Sequence, residues 1–190
     1  MPCQHDHRPL VENVTLDEMY YKDIMKEVIP GYLPHRDYSH LIKFVKFEGH
    51  TGNTQRYFVP NKYNGWVTYV RFLEWEEQVR DTSLSAPEAA RLLFWGANIQ
   101  VHCGCPAFLF WGSQYILTQL DAAIVPENRF PHIRNPQLKG IVCKHLNRTL
   151  KVLPFHLADM ARAINEDRAK LASMDGGMIT PAGAPMPPMG

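Results

Sequence analysis

Trp66-Val67-Thr68-Tyr69-Val70-Arg71-Phe72-Leu73-Glu74-Trp75 is a long run of β-branched and aromatic residues. Its polarity has a period of two. Trp66, Thr68, Val70, Phe72 and Glu74 share one face, and Val67, Tyr69, Arg71 and Leu73 share the other, which is the signature of a strand. Working outward, Leu41 to Phe47 and Arg56 to Val59 have the same composition, while Gly49 to Asn53 and Asn61 to Gly65 supply turns. The spacing predicts three strands of an antiparallel sheet within residues 40–79, with both faces partly covered. Glu74, Glu76 and Glu77 then read as a solvated strand end rather than an acid–base pair.

Downstream the period lengthens. Ser85-Ala86-Pro87-Glu88 is a capping box with proline in the first turn, opening a helix from Ala86 to Trp95 that Gly96 ends. Asn98 to Cys103 alternates as a short strand, Pro106 breaks it, and Phe108 to Leu120 is apolar and long enough for a buried helix. Pro126, Pro131, Pro136 and Gly140 make residues 121–140 a loop. A helix follows from Cys143 to Leu153, and Pro154 separates it from another. There Leu157, Met160, Ala161, Ile164, Arg168 and Leu171 fall on one face that packs on the core. Upstream, Thr15-Leu16-Asp17-Glu18 opens a helix to Val28, and Gly31 to Tyr38 reads as loop. The expected organisation is a flexible tail over 1–14, one α+β domain over 15–172, and a flexible Gly/Pro/Met tail over 173–190.

Composition bounds the function. With 190 residues and 45% hydrophobic side chains, full disorder is excluded. Twenty basic residues against nineteen acidic ones leave a net charge of +1, which argues against a whole-molecule electrostatic grip on nucleic acid. No apolar run approaches the ~18 residues of a membrane-spanning helix. Met1 to His7 lacks the blocks of a signal peptide, so the expectation is a chain that is neither secreted nor membrane-bound.

The four cysteines, Cys3, Cys103, Cys105 and Cys143, are too few and too unevenly placed for a disulfide scaffold. Cys103-Gly104-Cys105, then 37 residues, then Cys143-Lys144-His145 has instead the spacing of metal ligands. Cys3His is a standard tetrahedral set for structural zinc. On a strand Cys103 and Cys105 point the same way, Gly104 lets the backbone bend towards the ion, and His102 points away. Residues i and i+2 of a helix diverge, so Cys143 must precede the helix and His145 must lie in its first turn, with Gly140 allowing the entry. A redox C-x-C pair is the alternative, but it leaves Cys143 and His145 without a role. Cys3, His5 and His7 crowd the N-terminus, where a tail is expected rather than a second metal site.

The quartet Cys103, Cys105, Cys143 and His145, with Pro106 and Leu146 beside it, resembles the SWIM-type zinc finger, C-x-C followed by C-x-H, over residues 99–153. The resemblance implies one structural Zn²⁺ at these four positions and a non-catalytic binding unit. The wider pattern is similar to uncharacterised SWIM-like proteins of large tailed bacteriophages. It rests on Cys105-Pro106-Ala107-Phe108, Pro126-Glu127-Asn128-Arg129, Ile133-Arg134-Asn135-Pro136 and Cys143-Lys144-His145-Leu146. That implies residence in the host cytoplasm or in the virion.

Three thiolates and an imidazole close the coordination sphere, and no H-E-x-x-H, G-x-S-x-G or phosphate-cradling glycine loop is present, so no catalytic activity is expected. Arg129, Arg134, Lys139, Lys144, Arg148 and Lys151 form a basic stretch without an acidic residue, the last three on one side of the helix after Cys143. They are candidate contacts for nucleic acid or for an acidic partner. Phe108, Phe110, Trp111 and Tyr115 read as core beneath the metal rather than a base-stacking platform. The sequence thus points to an α+β protein: an antiparallel sheet, a zinc-stapled α/β unit over 86–153 and C-terminal helices. Its expected role is structural or in assembly, with protein partners. A nucleic-acid-binding adaptor using Lys144, Arg148 and Lys151 is the alternative.

Overall fold

The computed structural model describes residues 38–175, except residues 63 and 139 and the side chains of Tyr38 and Asp175. The expected N-terminal tail, residues 176–190 of the expected C-terminal tail, the helix from Thr15 to Val28, the loop before Tyr38, the Cys3, His5 and His7 group and the Lys139 contact lie outside these residues.

The fold is α+β, as expected. Strands β1 (Lys46–Thr51), β2 (Thr54–Pro60), β3 (Gly65–Phe72) and β4 (Ile99–Cys103) form one sheet in the order β1-β2-β3-β4. Every neighbouring pair is antiparallel. The register aligns Phe47 with Tyr57, Tyr57 with Thr68, and Thr68 with Cys103. Because side chains alternate across the pleat, these residues share a face with Val59, Val70, Phe72, Ile99 and Val101. That face is the core side: Tyr57, Val59, Val70, Phe72 and Val101 are fully buried. The Val67, Tyr69 and Arg71 face is half-buried, in keeping with partial cover on both sides.

Helices follow as α1 (Trp75–Arg80), α2 (Ala86–Gly96), α3 (Pro106–Phe110), α4 (Ser113–Gln119), α5 (Lys144–Val152) and α6 (Leu157–Asp175). Ser85 and Glu88 close the capping box before α2: the Glu88 carboxylate accepts from the Ser85 amide at 2.9 Å. Helix α5 lies on the core face of the sheet, where the Thr68 and Thr149 hydroxyls meet at 2.8 Å. Helix α6 packs on α2, with Met160, Ala163 and Ile164 buried. It extends to Asp175, past the expected start of the tail. The outer side of β4 is covered by residues 122–124: the Val101 amide donates to Ala122 O at 2.8 Å and the Ile124 amide to Val101 O at 3.1 Å.

Several expected boundaries are corrected. Residues 41–45 are not strand; Tyr38–Leu41 forms a 3₁₀ turn and the sheet starts at Lys46. Ile42 and Val45 are buried while Leu41 and Phe44 are exposed, a spacing of three that no strand can satisfy. Strand β1 instead runs on through Gly49, leaving Gly52 and Asn53 as the turn. The stretch after Phe72 is not a strand end either. Trp75 and Val79 are buried four residues apart on α1, and Glu76 and Glu77 fall in its first turn, where the helix dipole favours carboxylates. Glu74 accepts from the Asn98 amide at 2.9 Å and side chain at 2.8 Å, joining α1 to the start of β4. The expected helix 108–120 is two helices, because Gly112 at φ 87° turns the chain and Pro131 leaves no room for a Cβ there.

Arg168 lies on the core-facing side of α6 as expected, but it acts as a clamp rather than as apolar packing. Its guanidinium donates to the carbonyls of Val79 at 3.1 Å, Gln78 at 2.9 Å, Asp81 at 2.6 Å and Leu84 at 2.9 Å. These include carbonyls that the end of α1 leaves without helical partners.

One residue earlier, Asp167 accepts from Lys170 at 2.8 Å, His50 at 3.0 Å and Trp75 at 3.0 Å. Burial pushes its carboxyl up, but the hydrogen bonds from Lys170, His50 and Trp75 outweigh this and hold it below the ordinary range. A depressed carboxylate contributes stability above the unfolded-state value, near pH 4, that is lost as pH falls through the folded one. Asp167→Asn should therefore cost about 1–2 kcal/mol at neutral pH. The gap from the unaltered chain should narrow below about pH 4 in urea titrations.

Candidate metal centre

The quartet is assembled by two chain segments that end in the same local structure. Cys103 is the last residue of β4, opposite Thr68. Cys105 is the N-cap of α3, and its Sγ accepts from the Phe108 amide at 3.3 Å. Cys143 is the N-cap of α5, and its Sγ accepts from the Leu146 amide at 3.5 Å. Both N-cap residues have extended backbone, with φ −78° and −73°. His145 is the second residue of α5, as the divergence of i and i+2 on a helix requires. Gly140, at φ 77°, carries the left-handed turn that leads into this segment. Gly104 links the two cysteines, and a Cβ there would meet no protein atom within 4 Å among the described residues.

One ligand atom from each of Cys103, Cys105, Cys143 and His145 lies within 4.8 Å of all the others, and all four residues are buried. A zinc tetrahedron with metal–sulfur bonds of about 2.3 Å has sulfur–sulfur edges of roughly 3.8 Å, so little contraction is needed. The three cysteines are free thiols. His102 faces the other way, its ring 6.1 Å from Tyr69 and 5.4 Å from Phe108. Burial holds its imidazole below the ordinary range, towards the neutral form.

The three thiols hold their protons unequally. Cys105 is held far below the ordinary thiol range by hydrogen bonds from Cys103 and Cys143, helped by His145 and the Phe108 amide. Cys103 is pushed up, first because its proton is shared with Cys105 and Cys143, then by burial. Cys143 is pushed up by burial. One thiolate forms readily, and further ionisation needs a positive charge at the centre. The Nδ1 of His145 is buried and has no hydrogen-bond partner. Three converging sulfurs and a ring nitrogen of His145 fit a metal ion, and the donor set suits a soft or borderline one. The support from Trp66, whose ring lies 6.3 Å from that of His145, and from Thr149, which donates to His145 O at 3.1 Å, is not visible in the ligand spacing.

The described members of the basic stretch fall on two parts of the chain. Lys144 and Lys151 are exposed and Arg148 is half-buried along α5. Lys151 donates to Ser39 Oγ at 3.4 Å. Arg129 and Arg134 lie instead in the 121–140 loop. Arg129 is engaged by Glu127 at 2.6 Å, and its guanidinium lowers the Glu127 carboxyl to about 2. That partner sits two residues before Arg129, just outside the stretch counted as free of acids. Among the aromatics, Phe108 is fully buried and Tyr115 packs against the core, but Phe110 is 67% exposed and is not core.

Comparison of the chain with family models, with curated proteins and with solved structures gives no match. No helix among the described residues is long and apolar enough to cross a membrane.

Proposed function

We propose that the protein is a non-enzymatic, SWIM-like zinc protein in which one Zn²⁺ fixes a protein-docking surface. Convergence of four buried ligand atoms within 4.8 Å carries this reading. When bound, the ion cross-links β4, α3 and α5, so its chemistry is that of a structural staple. Four protein ligands leave no open position for substrate or water. The partners are other proteins of a larger assembly, and the resemblance of motifs such as Cys105-Pro106-Ala107-Phe108 and Cys143-Lys144-His145-Leu146 to phage proteins is the ground for placing it in a virion or the host cytoplasm. Elemental analysis of the purified chain should give one zinc per molecule, and native co-purification should recover a partner only while the metal is held.

The alternative adaptor reading has a specific observation behind it, the alignment of Lys144, Arg148 and Lys151 on α5. Three phosphate contacts would make log affinity for duplex DNA fall with log salt at a slope of about −2 to −3. Our reading expects weak binding without sequence preference that is gone at physiological salt. Submicromolar binding at physiological salt, abolished in the Lys144→Gln, Arg148→Gln, Lys151→Gln variant with its zinc intact, would replace the docking reading with the adaptor.

A further inference from the structure

The core face of the sheet carries α5, through Thr68 and Thr149, and α6, through His50 and Asp167. The opposite face stays half-open. The register sets Lys46 beside Phe58, Arg56 beside Tyr69, and Tyr69 beside His102. Arg71, two residues on from Tyr69, shares their side of the pleat. Lys46 and Arg56 are exposed, and the other four are half-buried. Tyr69 is thus the middle of a flat surface on which rings and cations adjoin.

The groups are held in place. The Tyr69 and His102 rings lie 6.1 Å apart, and the Phe58 ring lies against Gly65, where a Cβ would have no room. Arg71 donates through Nε to Thr54 Oγ1 at 3.2 Å and through Nη1 to Gln100 Oε1 at 3.1 Å, which fixes its guanidinium across three strands beside Tyr69. Glu48 answers Arg56 at 3.1 Å, and Asp121 accepts from Gln100 at 3.4 Å at the β4 margin. Among the described residues no carboxylate pairs with Lys46 or Arg71. Fixed rings bordered by excess positive charge suit a polymer that carries a phosphate beside every planar base. A duplex hides the faces of its bases, whereas a single strand offers them.

We propose that the outer face of the sheet binds single-stranded nucleic acid, with bases stacked on Tyr69, Phe58 and His102 and phosphates held by Lys46, Arg56 and Arg71. This goes beyond the docking reading. It also differs from the adaptor reading, whose basic row is on α5, against the other face of the sheet.

Fluorescence anisotropy of a labelled oligothymidylate of about twelve nucleotides, titrated with the zinc-loaded full chain, tests this. Three phosphate contacts should give the single strand a log–log salt slope of about −2. Annealing it to oligoadenylate should weaken binding about five-fold or more, because stacking is lost. Tyr69→Ala should weaken the single strand about ten-fold or more, and Tyr69→Phe should restore it. Lys46→Gln, at an exposed position, should make the slope shallower by about 0.7. The Lys144→Gln, Arg148→Gln, Lys151→Gln variant should bind the single strand as the unaltered chain does. Zinc content and the urea midpoint of each variant separate loss of the fold or the metal from loss of the surface. An unaltered chain that binds no single strand would overturn the proposal. So would binding lost in the α5 variant but kept in a folded Tyr69→Ala chain. Self-association abolished by Tyr69→Ala, without oligonucleotide binding, would assign the face to a second copy instead.

Discussion

Cys143→Ser should yield a chain with almost no bound zinc and a stability reduced by on the order of 5 kcal/mol or more. The size follows from linkage. A structural zinc site forms only in the folded state, and its binding free energy, about 10–16 kcal/mol in small zinc domains, is expressed as folding free energy. Domains are stable by only about 5–15 kcal/mol, so loss of much of that contribution is enough to unfold the unit. Cys143 is the sensitive choice because it is at once a ligand and the N-cap of α5, where its sulfur receives the Leu146 amide. Serine keeps the capping oxygen, so the loss reports on the metal rather than the cap. A chelator should act on the unaltered chain in the same direction. A metal-free chain with an unchanged urea midpoint would contradict the staple.

Arg168→Ala should cost about 3 kcal/mol, a large effect for a partly exposed residue. The side chain satisfies four carbonyls at the end of α1 and in the following turn. Its removal leaves those acceptors without a partner and releases α1 from α6. Arg168→Lys should recover less than about half of the loss, since one ammonium group cannot span four acceptors that a planar guanidinium reaches at once. Urea unfolding decides it: the midpoint should fall without a change in slope. A lysine variant as stable as the original would show that charge alone matters.

The metal quartet was legible because its geometry is local on each side. A strand end presents alternate residues together, and a helix N-terminus places Cys143 and His145 without further information. The core faces of β2, β3 and β4 were legible for the same reason. Short-range periodicity failed where burial came from distant partners. Ile42 and Val45 are buried three residues apart beneath other parts of the fold, so a β-rich composition misled. Trp75 and Val79 mark a six-residue helix too short to show a period. Arg168 looked like one more member of an apolar stripe, since its carbonyl partners are more than 80 residues away in sequence. The basic stretch looked uniform because a linear count cannot see which of its charges are already answered, as Glu127 answers Arg129.

The segment 122–124 laid along β4 has a consequence for self-association. A sheet normally offers two outer strands whose unpaired amides and carbonyls invite strand addition by another molecule. Here Ala122 and Ile124 already bond Val101 on one of them. The opposite border, β1, is broken by an irregularity between Phe47 and Gly49 and carries Lys46 and the Glu48–Arg56 ion pair at 3.1 Å. Neither border is a straight apolar template, so the fold resists edge-to-edge polymerisation. Copies that meet in an assembly must then join through side-chain surfaces, where a few substitutions can alter the fit without disturbing the sheet.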